Sequence, residues 1–212
     1  MTSAPLTLAQ LRYLTQYLVG DPQQSTYSAT MYLDAINYAI KDYAKKTGAT
    51  YAESTATPDA NGFAVIPTSY LRLLRVLYAG SQLTESTFSF ESMKDPAWQV
   101  TAGTPKRWVL WSGAKVKLTP IAAVPTAATI GYVEDPTDLT TDAETVDTRI
   151  PWAHHEYLKY AAGSWLLHLD GDGKDDQLAS SYMEKFNAMI GYSDQVLEGK
   201  IHTSRNQGSR EV

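Results

Sequence analysis

The spacing of apolar residues changes twice along the chain and divides it into three stretches. In the first, Leu8, Leu11, Leu14 and Leu18 recur at three- and four-residue intervals, the spacing of one helix face. Thr7 and Gln10 stand where a capping box opens such a helix, and Gly20-Asp21-Pro22 closes it. A second helix is expected from Ser28, with Tyr32, Leu33, Ile36, Ala39, Ile40 and Tyr43 on its apolar face. Lys45 and Lys46 complement its dipole, and Gly48 ends it.

From Thr50 to about Pro136 the chain is rich in Thr, Val, Pro and aromatics, and breakers recur. Asn61-Gly62 reads as a tight turn between residues 50–57 and 63–66. Residues 71–78 fit a strand or a short helix, and their Val, Leu and Tyr content favours strand. Ser112-Gly113 marks a hairpin between 108–111 and 115–118, where Lys115-Val116-Lys117-Leu118 alternates as a half-buried strand does. Residues 129–133 form the last strand, stopped by Glu134-Asp135-Pro136. Five or so short strands predict a small antiparallel sheet or barrel.

The helical period then returns. Residues 138–147 read as an exposed acidic connection, and Ile150-Pro151 opens a long helix whose apolar face is Leu158, Ala161, Ala162, Trp165, Leu166 and Leu169. Asp170-Gly171-Asp172-Gly173 breaks it. A last helix is expected from about Lys174 to Leu197, with Leu178, Tyr182, Phe186, Met189 and Ile190 on one face. Beyond Glu198 the periodicity stops, and the polar, mildly basic end cannot bury enough surface to offset its own ordering entropy. The expectation is an α+β chain. Residues 1–49 and 137–198 make a helical bundle from the N- and C-terminal helices, 50–136 are an inserted antiparallel β-rich region, and 199–212 are a flexible C-terminal tail that orders on assembly.

Composition narrows the function. The 212 residues are 43% apolar, enough for a core, and 18 Lys+Arg against 23 Asp+Glu give a net charge of −5. A protein whose main task is gripping phosphate carries a basic surface, so tight DNA binding is disfavoured. Cys is absent, which removes disulfides, thiolate nucleophiles and Cys-ligated zinc. Residues 1–10 lack a basic region followed by an apolar run, and Arg72 and Arg75 interrupt the richest apolar stretch, so neither a secretory signal nor a membrane span is expected. The reading is a soluble, acidic protein compatible with the cytoplasm.

Candidate chemistry is sparse. Residues 170–176 hint at a calcium loop, but Lys174, Asp175 and Ser181 occupy positions where an EF-hand needs an oxygen ligand, Gly and Glu. A helix–helix turn with Asp caps is the better reading. His154-His155-Glu156 departs from the zincin pattern because residue 159 is Lys, and His168 lies ~21 Å further along a straight helix. There is no nucleophile elbow, P-loop or dinucleotide fingerprint. No catalytic residue, metal ligand or cofactor is assigned, and an enzyme is not expected. Fourteen Tyr and five Trp are the other unusual feature. Trp98, Trp108 and Trp111 serve either as filler of a small β core or as interface anchors, and Tyr13, Tyr17, Tyr38 and Tyr43 face the same choice.

Four segments together carry a resemblance. They are Tyr27-Ser28 entering a helix with Leu33, Ala35, Ile36, Asn37, Ala39 and Ile40; Phe63-Ala64-Val65-Ile66-Pro67 followed by Tyr70-Leu71-Arg72-Leu73; Thr104-Pro105-Lys106-Arg107-Trp108 leading into the strands at 115–120 and 130–132; and Ile150-Pro151 with Tyr157–Ala162, the Gly171–Gly173 break and the helix at 182–186. In this order and spacing the chain resembles the head-to-tail adaptor, or head completion, proteins of tailed bacteriophages. The resemblance implies a helical body with a projecting β region, and twelve copies in a ring between the portal protein and the tail or next neck protein. DNA would pass through the lumen without sequence-specific binding. It implies residence in the virion neck after assembly in the host cytoplasm, with no membrane partner and no cofactor. On that reading Lys200, Ile201, His202, Arg205, Arg210 and Val212 form a portal-binding tail, and Trp98, Trp108 and Trp111 are candidate interface aromatics. A tail terminator or other neck ring, a virion-associated peptidoglycan hydrolase and a carbohydrate-binding module are the rival readings.

Overall fold

Helix α1 (Leu8–Leu18) begins at the capping box. The Thr7 hydroxyl accepts from Gln10 N–H, and the Gln10 side chain accepts from Thr7 N–H. In this computed structural model the described residues are 4–207 except 170 and 172, with side chains described as far as Gly191. They fall into two units, one of residues 1–49 and 136–212, the other of residues 50–135.

In the first unit, α2 (Ala29–Thr47) is capped by Ser28 and ended by Gly48, whose φ of 71° is the left-handed conformation glycine adopts without strain. A third helix, α3 (Phe88–Lys94), belongs to the other unit. Then come α4 (Trp152–His155), α5 (Leu158–His168) and α6 (Asp176–Gln207). Helix α5 packs against α1, α2 and α6, and is buried on most sides through Ala161, Ala162, Gly163, Ser164, Leu166 and Leu167. Small residues let its neighbours approach: a side chain at Gly163 would come within 3.1 Å of Leu18. Tyr32, Ile36, Ile40 and Tyr43 of α2 meet Phe186 and Ile190 of α6 in the same core. Each such fully buried side chain contributes ~1.5–3 kcal/mol relative to leaving it exposed.

Three expectations change here. The helix expected from Ile150 to Leu169 is two helices, because the bonds Tyr157 N–H to His154 C=O and Tyr160 N–H to Tyr157 C=O reach back only three residues and tighten the chain into a turn. The acidic connection is not wholly exposed. Leu139, Val146 and Ile150 enter the core, and residues 144–146 bond the start of α1 through Leu8 N–H to Glu144 C=O (2.8 Å) and Val146 N–H to Leu6 C=O (3.0 Å). Helix α6 begins at Asp176 and its backbone stays helical to Gln207, beyond Leu197, where the apolar pattern stops. Extending a helix adds one bond per residue fixed, so a started helix outruns its apolar stripe.

The second unit holds strands β1 (Tyr51–Ala56), β2 (Phe63–Val65), β3 (Tyr70–Tyr78), β4 (Ser81–Gln82), β5 (Thr84–Ser86), β6 (Ala102–Gly103), β7 (Arg107–Ser112), β8 (Lys115–Thr119), β9 (Ile121–Ala122) and β10 (Ala128–Glu134). They form sheets ordered β1-β10-β3-β4 and β2-β8-β7-β5, with a small β6-β9 pair. Val76, Ile130 and Tyr132 of one sheet and Ala64, Trp108, Val116 and Leu118 of the other share one core. The expected antiparallel order holds except at β5–β7 and β6–β9, which are parallel. The β7–β8 hairpin forms as expected, with an irregularity at Trp111 between Leu110 and Ser112. Helix α3 has no counterpart in the apolar pattern, since its buried residue is a glutamate.

Candidate interaction surfaces

The loop between α1 and α2 is built around one carboxylate. Asp21 is 4% exposed and accepts from Ser25 N–H (2.7 Å), Ser25 Oγ (2.9 Å), Tyr27 N–H (3.0 Å) and Tyr32 OH (3.1 Å). Burial alone would raise its pKa, but these donors outweigh it and hold the carboxyl at about 2. The loop presents Tyr27, whose hydroxyl donates to Gly173 C=O at 2.9 Å. A side chain at Gly173 would collide with the Tyr27 hydroxyl, so this glycine serves close approach between the loop and the turn before α6. Asp175 caps that helix by accepting from Leu178 N–H. Of the calcium-loop candidates, Asp170 and Asp172 lie outside the described residues. Among the described residues no group of three or more His, Asp or Glu is placed to hold a metal ion.

The two adjacent histidines have packing roles. His155 is 1% exposed, and its Nδ1 accepts from Leu6 N–H (3.1 Å), which leaves Nε2 to donate to Ile150 C=O (3.0 Å). Desolvation lowers its pKa, aided by the neighbouring His154 and opposed by the bond to Ile150. His154 Nδ1 pairs with Tyr43 OH, and burial lowers its pKa as well. Of the four tyrosines singled out from sequence, Tyr43 is core, whereas Tyr13, Tyr17 and Tyr38 are exposed.

The tryptophan trio divides in the same way. Trp98 and Trp108 are each 2% exposed, so both are core residues of the β-rich unit and neither offers surface to a partner; Trp111 is 39% exposed. Trp111 stacks edge-on against Phe63 and Trp98 and lies 5.7 Å from Phe88, ring centre to ring centre. Beneath this shelf Lys117 is buried, its ammonium 4.4 Å from the Phe63 ring centre and donating to Asn61 C=O. Desolvation lowers its pKa, and the Asp59 charge opposes this. Lys117 therefore breaks the alternation expected of β8, because the shelf covers the sheet's second face.

Sequence reasoning missed α3. Thr87 caps it through Phe90 N–H, and its buried residue is Glu91, held by a two-point contact with Arg107 and by Ser86 OH. Burial would raise the Glu91 pKa, but these partners bring it below the ordinary value. The side turned to solvent carries Phe88, Phe90 and Met93, exposed by 51, 50 and 79%. The legible signal was a cap residue at 87 and an Asp95-Pro96 stop around seven helix-compatible residues.

The expected portal-binding residues fall at the other end of the chain. Lys200, Ile201, His202 and Arg205 lie on the helical backbone of α6, their side chains outside the described residues, as are Arg210 and Val212 altogether.

A family model described as SU10 adaptor protein matches residues 6–209. The chain belongs to the SU10 adaptor protein family. The resemblance read from four separated segments therefore points to the right group: this is a bacteriophage head–tail adaptor, a structural component of the virion neck that contacts other head and tail proteins. A search of curated proteins gives no match. Among the described residues, exposed aromatic surface lies on the shelf with α3 and at Tyr13, Tyr17 and Tyr38 of α1 and α2.

Proposed function

We propose that this SU10 adaptor is the subunit of a closed ring of twelve copies that joins the portal to the tail or next neck protein and surrounds the DNA passage. The match over residues 6–209, which includes the helical extension of α6, is the observation that carries the reading. A ring needs two different complementary faces per subunit, related by a rotation that closes. The terminal helices form the body that packs side by side, and residues 50–136 supply the outer or tail-side contact. Helix α6 is 32 residues long, ~48 Å at 1.5 Å per residue, long enough to reach from a subunit's core to a neighbouring protein. Its end and the residues after it, with Lys200, Arg205 and Arg210 as cations and Ile201 and Val212 as apolar anchors, dock on the portal and pair with portal carboxylates.

The net charge of −5 suits a passage that DNA must slide through. Basic walls would hold phosphates through counterion release, and acidic ones do not. The role is mechanical, with no bond made or broken.

Electron microscopy of the protein mixed with its portal tests the reading: a ring of density beneath the portal is expected, and portal particles that stay bare overturn it. Deleting residues 199–212 leaves a folded monomer, judged by its melting transition, that no longer docks. A truncated chain that docks as the parent does removes the tail assignment while leaving the ring intact. Binding to a tail protein without portal affinity would make the chain a different neck ring.

A further inference from the structure

Helix α3 is inside out. Its one charged core contact, Glu91 with Arg107, faces the sheet, Phe90 and Met93 face away, and Phe88 lies between, packed on Trp98 and Trp111 with half its surface exposed. An amphipathic helix on the surface of a finished particle shows the reverse order. The apolar surface continues through Phe88 onto Trp111, 39% exposed and 5.7 Å from Phe88, ring centre to ring centre. Contiguous apolar surface of this kind marks a contact with another macromolecule.

Charge identifies the partner. Residues 85–117 carry five cations, Lys94, Lys106, Arg107, Lys115 and Lys117, and three anions, Glu85, Glu91 and Asp95, with Glu91 taken up by Arg107. Lys94, Lys106 and Lys115 are exposed, and none forms an ion pair among the described residues. Lys106 and Arg107 also line, with Phe90, a groove of about 520 Å³ beside β5. Elsewhere in the chain the balance reverses. The unit made of residues 1–49 and 136–212 holds 16 Asp+Glu against 11 Lys+Arg, whereas residues 50–135 hold seven of each, so the whole net charge sits on the helical unit. The exposed lysines beside α3 are thus opposite in sign to the net charge of the helical unit, the pairing that a head-to-tail contact between copies can use.

We propose that the apolar face of α3 and the adjoining shelf, rimmed by Lys94, Lys106 and Lys115, dock on the acidic helical unit of a second copy of this chain. This rests on the ring reading above but moves the α3 side of residues 50–136 from the outer or tail-side contact to the contact between neighbouring copies, where it is one of the ring's two faces. The apolar face supplies the buried centre, the lysines form the rim and set the register, and high salt weakens the contact.

The experiment uses the full chain in two isotopic forms, mixed and treated with a carbodiimide, which joins a lysine to a carboxylate only when they touch. Mass spectrometry is expected to find Lys94, Lys106 or Lys115 of one isotope joined to carboxylates in residues 136–191 of the other. Links confined within one chain, or between two β-rich units, overturn the proposal. A Phe90→Ser, Met93→Ser variant, which keeps the Phe88 contacts to Trp98 and Trp111, is expected to melt as the parent does and to form rings about tenfold less readily or worse. A variant that assembles like the parent sinks this proposal alone, whereas a parent chain that never assembles, with or without portal, sinks the ring reading and this contact together.

Discussion

Each unit of this adaptor buries a carboxylate, and the two do so by different means. Asp21 in the helical unit uses no cation: backbone amides and hydroxyls within eleven residues satisfy it. Glu91 in the β-rich unit takes its main partner, Arg107, from a strand sixteen residues away. The first arrangement shapes a loop so that Tyr27 and Tyr32 can enter an apolar core. The second anchors a short helix by its polar side and leaves its apolar side over. One unit uses polar burial to complete itself, the other to present a surface.

Removing Asp21 tests the first half with the largest effect. Asp21→Ala strands several buried donors, a loss of about 3–4 kcal/mol. The melting temperature is expected to fall by roughly ten degrees, with amide exchange quickening in residues 21–43 and little changed in the β-rich unit. Because the folded pKa lies near 2, below the ordinary carboxylate value, the contribution is complete above about pH 4 and fades as pH falls towards 2. Normal stability in the variant would mean that the loop is shaped by something else.

A smaller effect is expected from Glu91. Glu91→Gln leaves Arg107 without its anion and costs about 2 kcal/mol, felt mainly as loosening of α3. Amide exchange over residues 88–94 should rise while the two sheets stay protected. Replacing both partners, Glu91→Met with Arg107→Met, should recover most of the loss, since a well-packed apolar pair avoids desolvating two charges. If Glu91→Gln instead melts the sheets, α3 is part of the core rather than an appendage, and the contrast between the units collapses.

These contrasts mark what was legible beforehand. The capping box at Thr7, the stop at Gly48 and the hairpin at Ser112-Gly113 were readable because each rests on residues within four positions of one another. The family was readable from the order of elements, which survives loose local matches. The missed features depend on partners distant in sequence. Nothing near Glu91 announces Arg107, nothing near Lys117 announces a second layer over its strand, and nothing near Trp98 says that Phe88 will cover it. The break after His155 was hidden for the same reason. Its ring is fixed by Leu6, 149 positions away.

That last contact gives the smallest effect and the cleanest separation of the units by pH. All four histidines lie in the helical unit. His155 is buried in its neutral form, and a proton on Nδ1 would remove the acceptor that Leu6 N–H requires. Since its folded pKa is lowered, the unfolded chain binds this proton more readily, so stability is full above about pH 6.5 and declines as pH falls below it. His154, on Tyr43, acts in the same direction. Between pH 7.5 and 5.5 the helical unit should lose a few degrees of melting temperature, with exchange rising first at residues 6–8 and 152–158. The β-rich unit has no histidine, so its protection should stay flat. His155→Gln should flatten most of the profile at a uniformly lower stability. A parent profile already flat over this range, or one that softens both units together, would show that the link between residue 6 and α4 does not hold the N-terminal segment in place.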